Sequence, residues 1–162
     1  YDLSRPRETA PDKPSIASST GPAAQGAPGP DALLERAQKL RAEGHTHKAA
    51  QALRRLVRQH PSSGEARSSL VSLGRLELDT LGAPARALRR FETYLAHRSN
   101  GTLALEAWWG KARALRALGR QDAERETLER FLDHFPRALQ ADRARARLTE
   151  LSGTPAKPSS GL

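Results

Sequence analysis

One apolar pattern, repeated at a fixed period, constrains this chain more than anything else in it. From Asp31 to Leu151 the apolar residues recur at three- and four-residue spacing, the period of a helix with one buried face. Leu33, Leu34, Ala37 and Leu40 share one face of a first helix that starts with Asp31 as N-cap and ends at Gly44. Ala49, Ala50, Leu53, Leu56 and Val57 mark a second helix, from about Thr46 to a stop at Pro61. Neither helix can bury its stripe alone, so the short turn between them predicts an antiparallel hairpin. The same unit follows twice more. Leu70, Leu73, Gly74 and Leu78 precede Gly82, and Pro84 opens a helix carrying Ala87, Leu88, Phe91 and Leu95. Ala107, Trp108, Ala112 and Leu115 precede Gly119, and Leu128, Phe131 and Leu132 precede Pro136. The closing positions Pro61, Ser99 and Pro136 are 38 and 37 residues apart. Such a period is the signature of a helical solenoid. A last helix, about residues 138–151, carries Ala144, Leu148 and Leu151 and is expected to cap the open end.

The fold class read from this pattern is all-α: three helix-turn-helix repeats, about residues 31–61, 65–99 and 102–136, plus the capping helix. Residues 1–30 hold six of the eleven prolines and three glycines, among Ala, Ser and Thr. Such a segment buries too little apolar area to offset its ordering entropy and is expected to be a disordered linker. Residues 152–162 are expected to be a disordered tail. The sequence has no Met, so Tyr1 is read as not the native start, and a tethered segment is expected upstream.

Chemistry is sparse. With no Cys, disulfides, thiolate nucleophiles and Cys-ligated metals are excluded. His45 and His47 are two apart in a turn, where a helical metal pair needs a spacing of four. His60 and His134 sit at helix C-termini, where a ring is favoured electrostatically. No nucleophile elbow and no glycine-rich phosphate loop occurs. No catalytic residue, metal or cofactor is therefore expected. Net charge is +9, with 22 Arg against 5 Lys, but no block of five consecutive basic residues exists. A solvated Arg-rich helical surface accounts for this better than a nucleic-acid footprint.

At the level of motifs the chain resembles tetratricopeptide repeats. The first repeat matches through Leu33, Ala37, Leu40, Gly44, Ala49, Leu53 and Pro61, the second through Leu70, Leu73, Gly74, Ala87 and Phe91. The third matches through Trp108, Ala112, Leu115, Gly119, Leu128 and Pro136. Three departures stand out: an insertion at the Leu81–Pro84 turn, Ser99 in place of a closing Pro, and Glu124 where a small residue of the second helix is expected. The longer segments are also similar to bacterial envelope repeats of the YbgF and BamD type. They resemble as well the C-terminal repeat domains of myxobacterial membrane-anchored anti-sigma or FecR-like regulators.

The resemblance implies a non-catalytic interaction scaffold, monomeric or weakly self-associating, tethered in the periplasm through an upstream anchor. The alternative is a cytoplasmic basic module that binds nucleic acid or an anionic surface. The resemblance also implies a concave groove lined by the first helix of each repeat. Carried onto this chain, its positions are Asp31, Leu34, Gln38 and Arg41, then Ser68, Val71, Arg75 and Leu78, then Glu106, Trp109, Arg113 and Arg116. Trp108 falls at a core position. Trp109 lies one residue round, toward the groove or toward the next helix pair. An aromatic ring flanked by Arg75, Arg113 and Arg116 would suit an acidic or C-terminal peptide with an apolar side chain. The family's chaperone-binding clamp needs Lys and Asn where Leu34 and Gln38 stand, so chaperone binding is not expected.

Overall fold

Left-handed glycines set the architecture. The computed structural model describes residues 27–153. Within them the chain forms seven helices: α1 (Pro30–Ala42), α2 (Thr46–Gln59), α3 (Gly64–Asp79), α4 (Pro84–Arg98), α5 (Ala104–Ala117), α6 (Gln121–His134) and α7 (Ala141–Gly153). The turn inside each pair contains a glycine at positive φ: Gly44 at 78°, Gly82 at 56° and Gly119 at 68°. Only glycine enters that region without steric cost, and it reverses the chain within two residues. At the first and third turns the amides of His45 and Arg120 donate back to the carbonyls of Leu40 and Leu115, at 2.8 and 3.0 Å. These bonds satisfy carbonyls that the helix end would otherwise orphan.

Helices pack in chain order, α1 on α2 through α6 on α7, as three antiparallel pairs and a final helix. The first helices of successive repeats also touch, α1 with α3 and α3 with α5. That is an all-α helical repeat, as the period requires. Its core is continuous through the second and third repeats and smaller in the first. At the centre Phe91 of α4 is fully buried between Gly74 of α3 and Gly110 of α5. A Cβ at either glycine would come within 2.8 or 2.4 Å of the Phe91 ring. The two glycines are therefore the room in which that ring sits.

Several boundaries differ from the sequence reading. Asp31 is not the N-cap: Gly29 is, with Pro30 in the first helical turn, where its fixed φ suits and its missing N–H costs nothing. Asp31 lies in that turn, where its charge favours the helix N-terminus. α3 starts at Gly64, one residue earlier than expected, because Ser63 caps it by accepting the Ala66 amide at 3.0 Å. The last helix starts at Ala141 rather than about residue 138, and Leu139 before it is 93 % exposed. It also runs past Leu151 to Gly153, into the start of the segment expected to be tail. The remainder of that tail expectation, and that for residues 1–26 of the linker, fall outside the described residues. No helix among the described residues is long and apolar enough to cross a membrane.

Candidate functional site

The series of touching first helices stops at α5: α7 packs on α6 but makes no close backbone approach to α5. A cleft of about 910 Å3 opens there. Its walls are the end of α3 (Leu78, Asp79), the face of α5 that carries Trp109, Arg113 and Arg116, and α7 with Arg143, Ala146, Arg147 and Glu150. Glu124 and Leu128 of α6 form its floor.

Trp109 occupies both of its candidate places at once. It is half-buried, its ring centroid 5.7 Å from that of Phe131 in a tilted pair, and its remaining surface lines the cleft. Trp108, one residue away and so about 100° round the helix, is buried. Its indole N–H points to the Ser99 carbonyl at 3.4 Å, its ring stacks on His134 at 5.7 Å, and Lys111 Nζ lies 5.8 Å above it.

Charges in the cleft divide into paired and unpaired. Arg113 Nη2 donates to Asp79 at 2.8 Å across the α3–α5 seam. Arg147 reaches from α7 with Nε and Nη2 onto the two oxygens of Glu124, at 2.7 and 3.0 Å, and with Nη1 onto Glu150 at 2.9 Å. The fork matches the carboxylate plane, and these bonds, Glu124 first and then Glu150, hold the guanidinium pKa above its ordinary value. Glu124 is 2 % exposed, so this pair pins α7 to the floor of the cleft. Arg125 adds a bond to the Leu151 carbonyl at 3.0 Å. Arg116 and Arg143 line the same cleft, are exposed, and make no ion pair among the described residues.

Leu78, Trp109, Arg113 and Arg116, four of the residues expected to form a groove, are thus brought together. Gln38, Arg41 and Arg75 are exposed but lie away from this cleft. Val71 is a correction: at 3 % exposure it is core, packed with Leu70, Ala87 and Phe91 rather than facing a ligand. Adjacent helix positions differ by about 100°, and α3, central in the solenoid, is covered on more sides than the pattern implies. Arg143 and Arg147 were missed because α7 was read only as a cap. The signal was Glu124, since a carboxylate at a core position needs a buried cation to meet it.

A second buried carboxylate, Glu77 of α3, joins the first two repeats. Arg54 of α2 donates to it at 3.0 and 2.9 Å, and Arg86 and Arg90 of α4 stand at 3.6 and 3.5 Å. His45 and His47 are exposed, and no group of three or more potential metal ligands occurs among the described residues. His60 donates to the Pro28 carbonyl at 3.2 Å, tying the start of α1 to the end of α2.

Two tetratricopeptide-repeat family models match the chain, one over residues 30–73 and one over residues 106–138. No curated protein matches it. With the helix pairs, the glycine turns and the touching first helices, these two matches support a tetratricopeptide-like helical repeat.

Proposed function

We propose that this chain is a non-catalytic protein–protein interaction module. Its ligand is an acidic peptide segment with an apolar side chain, held in the cleft between α5 and α7. Tetratricopeptide-repeat domains commonly bind protein or peptide partners. The observation that carries the finer reading is that Arg116 and Arg143, which make no ion pair among the described residues, stand on opposite walls of a cleft that also exposes part of Trp109 and Leu78. Desolvated Trp and Arg are the side chains that dominate binding energetics. A carboxylate entering between the two guanidiniums meets two fork donors that no group among the described residues occupies.

The test is a titration of the chain with an acetylated peptide alternating Glu and Leu, followed by Trp fluorescence. Arg116→Glu and Arg143→Glu should each weaken binding at least tenfold with helicity unchanged. Equal binding of a Gln–Leu peptide, or indifference to both substitutions, would sink the reading.

We place the module on the outer side of a bacterial inner membrane. Support comes from the resemblance to envelope repeats and from the Pro- and Gly-rich composition of residues 1–30, suited to a tether. Protease accessibility of a C-terminally tagged full gene product in intact spheroplasts tests it, and protection would place the module in the cytoplasm. The net charge of +9 favours a second reading, binding to nucleic acid. That reading predicts affinity falling steeply with salt, and no binding to duplex or single-stranded DNA at low salt disposes of it.

A further inference from the structure

We infer that a second site, separate from the cleft, lies on the edge of the solenoid where α2 turns into α3 and α4 into α5. It takes the C-terminal residue of a partner peptide that ends in an aliphatic side chain. Two adjoining hollows build it. The first is a partly open slot of about 170 Å3 with apolar walls from Val57, Ala66, Leu70 and Tyr94. The second is an open shelf of about 660 Å3 beside the turn Ser99-Asn100-Gly101. They share Pro61, Arg67, His97 and Arg98, so the basic groups stand at the mouth of the slot.

Charge complementarity identifies the occupant. Among the described residues no carboxylate lines either hollow, whereas three line the cleft. Arg98 is exposed and makes no ion pair among the described residues. Arg67 spends one nitrogen on the Ser62 carbonyl. His97 is oriented by its Nδ1–H, which donates to the Thr93 carbonyl at 2.9 Å, leaving Nε2 turned away from that bond. The site therefore offers fork donors next to a mostly apolar slot. A slot of this volume is close to the roughly 150 Å3 that accommodates one benzene. It holds one aliphatic side chain and is too small for an acyl chain, which argues against a fatty acid. A C-terminal residue carries its side chain and its carboxylate on one Cα, which matches a slot and a shelf that share their rim. An internal Asp or Glu supplies the charge from a residue other than the one that fills the slot.

The experiment titrates the full chain, 15N-labelled, with acetyl-Ser-Ala-Ser-Ala-Leu bearing a free carboxylate, and separately with its C-terminal amide. The acid is expected to shift the amides of Arg98 and Gly101, and the amide peptide to bind at least tenfold more weakly. Arg98→Gln, at an exposed and unpaired position, should weaken the acid peptide at least tenfold, while Arg116→Glu should leave it unchanged. Equal binding of acid and amide, or an Arg98→Gln chain that binds like the parent, would overturn the inference. So would decanoate producing the same shifts at lower concentration. Loss of binding in Arg116→Glu alone would also overturn it and assign the peptide to the cleft instead, so the two sites fail independently.

Discussion

The first repeat and the last part of the solenoid bury different kinds of side chain. Between α1 and α2 the buried apolar residues are Leu33, Ala37, Ala49, Ala50, Ala52, Leu53 and Leu56, without an aromatic ring. Around α5 and α6 they include Trp108 and Phe131, with Trp109 and Phe135 packed against them. Alanine lets helices approach closely and buries little area, whereas aromatic rings bury much more each. Charge divides the same way only in part, since Arg54 of α2 pairs with Glu77, while Arg116, Arg120, Arg137 and Arg143 make no ion pair among the described residues. Arg36, Lys39, Arg41, Lys48 and Arg58 of α1 and α2 make no ion pair among the described residues. Arg113, Arg125, Arg130, Arg145 and Arg147 all do. The cleft lies at the balanced, aromatic end. The proposed site rests on two exposed cations among paired ones there, a selectivity that a uniformly basic surface lacks.

The largest expected effect breaks the contrast at its aromatic end. Phe131→Ala should cost about 4 kcal/mol, read by urea denaturation. Because repeats couple mainly to their neighbours, hydrogen exchange should rise first in α5–α7 while α2 stays protected. Uniform loss of protection along the chain would erase the distinction between the two regions. Next, Arg147→Ala strands the buried Glu124 carboxylate and should cost about 3 kcal/mol. Replacing both Glu124 and Arg147 by Leu should recover most of that loss, and a double mutant no better than the single would show that α7 is held by something else. Gly110→Ala pushes a methyl into the Phe91 ring and should cost about 2 kcal/mol, seen as a lowered denaturation midpoint. An unchanged midpoint would mean that the ring has slack to move.

Trp109→Ala sharpens the comparison at the cleft. Its ring packs on Phe131 and keeps part of its surface in the cleft, so it should cost about 1–2 kcal/mol, below the range for a fully buried ring, and weaken the acidic peptide at least tenfold. Full unfolding would make Trp109 core alone. The smallest effect belongs to Arg113→Ala, whose pair with Asp79 is partly exposed on both sides. It should change stability by less than about 0.5 kcal/mol, and a larger change would show that the α3–α5 seam depends on it.

Legibility in the sequence tracked how local each feature is. The glycines at 44, 82 and 119 act within one turn, and their spacing gave the helix pairs directly. The start of α7 was less legible, because Leu139 satisfies the helical period yet points into solvent. Val71 shows the same limit from the other side: one helix step of about 100° separates groove from core. Glu124 was visible as an anomaly at a small-residue position, but its partner lies 23 residues away on another helix. Nothing in the local pattern ties those two together.

From the sequence alone came the repeat period, the pairing of helices and the lack of thiol chemistry, because spacing along one chain determines which residues share a face. Only the tertiary structure decided that the first-helix series opens between α5 and α7, and that Trp109 is shared between core and cleft. It alone left Arg116, Arg143 and Arg98 without ion-pair partners among the described residues. Those outcomes depend on how far apart helices settle, which the summed volumes and charges of residues from several repeats determine, and no single helix encodes that sum.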